Sequence, residues 1–347
     1  MKISAIIDQT RPDHSIVRNS SLELLRIVAM LMIVGGHFFQ FGFQFPHEYI
    51  TANRLWGQFL ALGGQRGNDM FILISGYFLI RSQAMKFRKV FRLLSEFAFY
   101  AIVVVSVLVI SGAEGFSIKL LRSMLHQWWF VKTYLVLYVL HPYLNLFLNR
   151  ISRKEYEKFL KTVFICWCVI PTCTALQFEG SNLVYFVCIY SLAGYFRLWA
   201  DDFGSRKFIL YGIFFMMINF LTVCILDIAG LKYAIFADKA LYFCGMMRPF
   251  TLLSALCFFI GFKKLEIPYS KIINTVAGAS LGVYMLHINK FSNQFLWRGY
   301  FHSTSFQDSS YFVPYTISVI FTVHILFTLI DLLRSKIFRA LSGGRLS

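Results

Sequence analysis

Ten apolar runs of roughly 16 to 22 residues decide what this chain can become, because a helix of about 20 such residues crosses about 30 Å of hydrocarbon. They lie near 22–41, 67–81, 93–112, 129–148, 162–178, 182–199, 208–229, 247–262, 273–290 and 311–331. In lipid, each backbone polar group must be satisfied within the segment, which leaves the helix as the natural form of such runs. The composition agrees: 57% of the 347 residues are apolar, 15% are charged and 39 are Phe, a profile outside that of soluble globular domains. The expectation is an all-α, polytopic integral membrane protein of about ten transmembrane helices. The second run is the least regular. Its sequence "WGQFLALGGQRGNDMFILISGYFLI" breaks around Gly63, Gly64 and Gly67 and leaves room for a short re-entrant or interfacial piece ahead of the span.

The basic residues give the orientation. With a cytoplasmic N-terminus, the inner segments collect Lys2, Arg11 and Arg18, then the groups at 81–92, 150–161, 197–207, 263–271 and 334–345. The outer segments hold Arg54, Arg66, Lys119, Arg122, Lys232, Lys239, Lys290 and Arg298. This bias predicts cytoplasmic placement of both termini. The implied organisation is a cytoplasmic segment over 1–21, a membrane domain over 22–331 and a cytoplasmic tail over 332–347. Basic loops facing anionic lipid account for the net charge of +17 without nucleic-acid binding. The polar first 20 residues and the long first run read as a signal-anchor rather than a cleaved signal. No run resembles a soluble domain, so chemistry is expected among the helices or at their mouths. The seven cysteines lie in apolar segments without a CxxC pair and read as packing residues, with no metal site expected.

Within the first run, "ELLRIVAMLMIVGGHFF", Arg26 and His37 stand out because ionisable groups are costly in lipid. Eleven steps of 100° return to within about 20° of the starting direction, and the rise per residue separates the two by about 16 Å. Both therefore look into one interior groove, Arg26 near the cytoplasmic boundary and His37 toward the outer half. Competing readings are an Arg26 that snorkels beside Glu23 and a His37 satisfied by interfacial water.

The setting "NSSLELLRIVAMLMIVGGHFF" resembles the signature of bacterial membrane acyltransferase family 3, whose members O-acylate surface polysaccharides and related glycans. "NDMFILISGYFLI" (68–80) is similar to the family's second-span pattern, and "KFRKVFRLL" (86–94) to the basic loop after it. "WWFVKTYLVLYVLHPYLN" (128–145) resembles its Trp-Phe opening of a span closed by Pro, although His141 stands where a small residue is expected. "SLGVYMLHINKF" (280–291) resembles its late Gly-x-Tyr-x-x-His segment. The likeness runs in order over nearly the whole chain. Many family members carry a fused extracytoplasmic hydrolase-like domain. None is seen in these 347 residues, so the resemblance implies delivery of the acyl group by the membrane domain itself or by a separate extracytoplasmic partner.

The resemblance implies a membrane O-acyltransferase, an acetyltransferase in the first instance, in a bacterial cell membrane. Its co-substrate would be acetyl-CoA or another acyl-CoA, and its acceptor a sugar hydroxyl of a glycan or lipid-linked glycan. Arg26, Arg88 and Arg92 at the inner mouth suit the anionic head of the donor, with Ser75 and Gly76 placed along the donor's path and Gly76 also serving close packing. His37 suits either proton abstraction from the acceptor or acyl carriage. Asp69 reads as an orienter of the histidine or as a helix cap. Tyr284 and His287, at i, i+3 spacing, are acceptor-site candidates, with an aromatic-belt role as the alternative for Tyr284. Trp128 and Trp129 read as belt residues, and Glu96, Asp227 and Asp331 as solvated or paired carboxylates. The competing function is a glycan or lipid-linked-sugar transporter, disfavoured by the absence of a repeat relating two halves.

Overall fold

A computed structural model describes residues 18–46, 48–174, 176, 182–289 and 291–341. Lys2, Arg11, Lys290 and Arg345, used above for orientation, lie outside the described residues, as does most of the expected N-terminal segment. Among the described residues the chain is all helical. In order the helices are α1 (Ser20–Gly42), α2 (Ala52–Leu79), α3 (Phe87–Ile110), α4 (Ile118–Gln127), α5 (Trp129–Leu148), α6 (Arg153–Phe164) and α7 (Ile170–Thr174). There follow α8 (Asn182–Trp199), α9 (Phe208–Lys232), α10 (Pro249–Lys263), α11 (Lys271–Gly278), α12 (Ser280–His287), α13 (Ser303–Phe306) and α14 (Phe312–Leu341). Five described segments are long and apolar enough to cross a membrane: Ser20–Gly42, Phe87–Ile110, Phe208–Lys232, Tyr242–Lys263 and Phe312–Ala340. The protein is a membrane protein.

Local sequence sets the helix starts. The Asn19 side chain accepts hydrogen bonds from the Ser21 and Leu22 amides at the head of α1, and Thr51 does the same for Arg54 at the head of α2. Ser152 and Glu155 form a reciprocal capping box on α6.

Helices α1 and α2 run antiparallel at the centre and separate two cores. One core joins α2 to α5, α6, α8 and α10 through residues such as Ile72, Phe186, Tyr190 and Phe259. The other joins α1 to α3, α12 and α14 through Phe38, Tyr100, Val283 and Val323. On the outside, α9 and α14 present Leu210, Phe214, Phe321 and Leu329 as exposed apolar side chains, the composition of a lipid-facing surface.

Three expectations change. Helix α2 is continuous from Ala52 to Leu79, with no break at its glycines. Those glycines instead allow close approach to α1. A Cβ on Gly63 would sit 2.5 Å from Met32 O and one on Gly67 2.7 Å from Ala29 O, so packing energy outweighs the helix cost of glycine. Continuity also moves Arg66 from an outer loop to the middle of α2. There it is fully buried and donates to Ser254 Oγ at 2.9 Å. Finally, the run at 273–290 divides at Ala279 into α11 and α12, and that at 162–178 passes through a π-helical segment, Ile165–Val169, which continues α6.

At one end of the bundle Asp201 ties three helices together. It accepts hydrogen bonds from Tyr77 at 2.6 Å, Arg197 at 2.7 Å and Lys263 at 3.2 Å. Partial burial pushes the Asp201 carboxyl up, but these bonds and the two cations outweigh it and hold it below the usual carboxylate range.

Candidate active site

One face of α1 runs along two cavities in succession. Arg26, Met30 and Ile33 line an inner cavity of about 400 Å³; Gly36, His37 and Gln40 line an outer one of about 780 Å³. The helical period places these residues in line, but Arg26 and His37 line different cavities rather than the one groove expected from their spacing. Asn68 of α2 and Tyr284 of α12 line both cavities. They mark the junction.

The geometry at His37 assigns its tautomer. His287 Nδ1 lies 2.7 Å from Val283 O. A carbonyl only accepts, so that nitrogen carries the proton and His287 Nε2 is left as an acceptor. His37 Nδ1 lies 2.8 Å from His287 Nε2 and must donate to it. The remaining lone pair of His37 is on Nε2, which no described residue engages, on a side chain that borders the outer cavity. His287 itself is fully buried, so the pair is held from the inside and open on one side.

The inner cavity is lined by Arg18, Arg26, Lys89 and Arg92, with Ser75, Tyr134 and Glu96, the last paired with Arg334. Arg26 also donates to Glu23 at 3.0 Å, so the pairing set against a functional role coexists with a place on the cavity wall. Phe71, Phe130 and Leu281 add an apolar portion to the same lining. The arrangement suits a ligand with an anionic head and a slender, uncharged arm.

The other sequence candidates fall in several places. Arg88 is exposed and does not line the inner cavity, which Lys89 does instead. Gly76 lies where α2 meets α8, a Cβ there standing 2.9 Å from Tyr190 O. Asp69 is buried inside α2, so it is no helix cap. Neither of its oxygens has a hydrogen-bond partner among the described residues. It faces the charge of Arg66 and neighbours Cys168, while His287 occupies the orienting position on His37. Tyr284 is 3% exposed and is no belt residue. Nor is Trp128, which is fully buried and donates to Met285 O at 3.2 Å; Trp129 lines the outer cavity. The carboxylates are paired and buried: Asp227 with Arg54 at 2.6 Å, and Glu96 and Asp331 both with Arg334 at 2.8 Å.

Residues that sequence reasoning did not single out enrich the outer cavity in amides: Gln40, Gln58, Gln65, Asn68, Gln127 and Asn293. The carbonyl oxygens of Gln58, Gln127 and Asn293 are buried without partners among the described residues. The available signal was polar amides within or beside apolar runs, which carry the same message as intramembrane charges. Arg54 also borders this cavity, but Asp227 neutralises it. The wall thus combines these amides with apolar and aromatic side chains such as Phe39, Phe41 and Trp129, a mixture that suits the hydroxyls and faces of a sugar.

Comparison of the chain with curated proteins and with solved structures yields no match. The family described as acyltransferase domain matches residues 19–331, a stretch that contains both cavities and the His37–His287 pair. The chain therefore belongs to acyltransferase family 3 and is a membrane acyltransferase.

Proposed function

We propose that this acyltransferase moves an acetyl group from acetyl-CoA to a sugar hydroxyl of a cell-envelope or exported polysaccharide, in a bacterial inner membrane and with both termini cytoplasmic. The observation that carries this reading is the free Nε2 of His37, held by His287 on the wall of the outer cavity, which shares Asn68 and Tyr284 with the cationic inner one. The cationic inner cavity receives the nucleotide phosphates of the donor, and its pantetheine arm extends along Met30 and Ile33 toward His37. The amide-lined outer cavity receives the acceptor sugar. His37 takes the proton of the acceptor hydroxyl as its oxygen attacks the thioester carbon, and returns it to the departing thiolate. His287 keeps the imidazole in the required tautomer and shares the positive charge that forms.

This reading is preferred to transport because a transporter needs one site open alternately to both faces, whereas here the proton acceptor lines one of two adjoining cavities whose charged groups differ. The test is a comparison of envelope polysaccharide from a deletion strain and its parent by NMR, before and after mild base. Loss of a base-labile acetyl signal in the deletion supports the reading; identical spectra contradict it.

A further inference from the structure

Tyr284 is a buried side chain with an unspent donor where the two cavities adjoin. It is 3% exposed, its hydroxyl oxygen faces the Phe130 backbone amide, and no described residue accepts its proton. The other buried tyrosines are satisfied: Tyr77 by Asp201, Tyr100 by Asp331, Tyr156 by Ser191 O and Tyr190 by Asn145, while Tyr138 accepts from the Lys86 amide. A buried donor left unpaired is costly and calls for an explanation. Tyr284 also lines both cavities. It precedes His287 by three residues on α12, with ring centroids 6.0 Å apart, and the His287 ring is 5.0 Å from that of His37. Its ring is buttressed by Phe130 at 5.8 Å. Tyr284 is therefore held in place with its O–H unspent, and it lines the outer cavity together with His37.

We propose that the Tyr284 hydroxyl donates a hydrogen bond to the carbonyl oxygen of the acyl donor and stabilises the oxyanion formed when the acceptor attacks. The inference rests on the acyl-transfer reading above. A thioester at the junction has its carbon within the region faced by both His37 and Tyr284. The acceptor oxygen bonds to that carbon and its proton passes to His37 Nε2. The carbonyl electron pair moves onto oxygen, where the Tyr284 O–H meets it. When the oxyanion collapses, the C–S bond breaks, and the thiolate leaves with its electron pair and takes the proton from His37. Tyr284 keeps its own proton throughout. A donor preorganised in a water-poor site and aimed at developing charge acts chiefly on the transition state, so its loss reads out in kcat.

The experiment uses the full-length chain reconstituted with acetyl-CoA and its envelope acceptor, comparing wild type, Tyr284→Phe and His37→Ala. Tyr284→Phe removes a hydroxyl whose proton no described residue accepts, so its melting temperature should stay close to that of wild type. Its kcat should fall by about 10²- to 10³-fold, with KM for acetyl-CoA within about twofold and an unchanged pH profile. A stable Tyr284→Phe protein with wild-type kcat, while His37→Ala is inactive, would overturn this role and leave the acyl-transfer reading intact. A raised KM with unchanged kcat, or a lowered melting temperature, would equally overturn it, assigning the hydroxyl to binding or to structure. Full activity in His37→Ala would remove the underlying reading and this inference with it.

Discussion

His37 Nδ1 is 2.8 Å from His287 Nε2, a bond between side chains 250 residues apart. Because Val283 O fixes the proton on His287 Nδ1, the pair has one available neutral arrangement, with the reactive lone pair on His37 Nε2. His287→Ala should free the His37 ring to turn and to change tautomer, lowering kcat by about 10²-fold, as loss of an orienting partner does elsewhere. His287→Gln, whose carbonyl oxygen can accept from His37 Nδ1, should recover part of that loss. Acyl-transfer assays on expression-matched membranes decide it; equal activity in His287→Ala and wild type would show that His37 needs no such partner.

The inner cavity predicts a graded effect on donor binding. Arg26→Ala and Arg92→Ala should each raise KM for acyl-CoA more than they lower kcat, and Lys89→Ala should behave likewise, because all three line that cavity. Arg88→Ala should do less, since Arg88 is exposed and off the cavity wall. Steady-state kinetics with varied acyl-CoA provide the measurement, and unchanged KM in the Arg26 and Arg92 variants would reassign these charges to lipid headgroups.

The glycines of α2 make a stability prediction independent of function. Gly63→Ala and Gly67→Ala would drive a Cβ into the α1 backbone at Met32 O and Ala29 O, whereas a Cβ on Gly64 meets nothing within 4 Å. The first two should destabilise by about 1–3 kcal/mol, the usual cost of overpacking, and Gly64→Ala should not. Thermal melts in one detergent compare them. Equal melting temperatures for Gly63→Ala and Gly64→Ala would mean that α1 and α2 are less tightly apposed.

Those same glycines mark where sequence reading reached its limit. Read along the chain, the run around Gly63, Gly64 and Gly67 signals a helix break, because glycine is a poor helix former. Only the presence of α1 turns it into a packing groove. The Arg26–His37 face was legible because it depends on helical period alone. The helix bounds of α5 and α8 were likewise legible from hydropathy, and the end of α2, expected at 81, falls at Leu79. What joins His37 to His287, or Arg54 to Asp227, depends on how distant helices meet, and a single sequence carries no signal for that. Asp69 drew attention by lying near the Ser75–Gly76 motif, but helical rotation turns it away from its neighbour Asn68, which faces the cavities.

Orientation rests on the charge bias of the loops. Reporter fusions after residues 158 and 340 should read cytoplasmic, and fusions near 117 and 303 external. An external reading at 340 would mean that the ten-span count is wrong by an odd number.

The most direct measurement is acyl transfer by His37→Ala protein in membranes matched for abundance and insertion. Alanine removes the imidazole whose Nε2 no described residue engages, and lowers the cost of placing α1 in lipid, so the protein should insert normally. Transfer should fall by at least the roughly 10²- to 10⁴-fold typical of general-base removal, with donor binding retained. Near-wild-type transfer by correctly inserted His37→Ala protein would contradict the account.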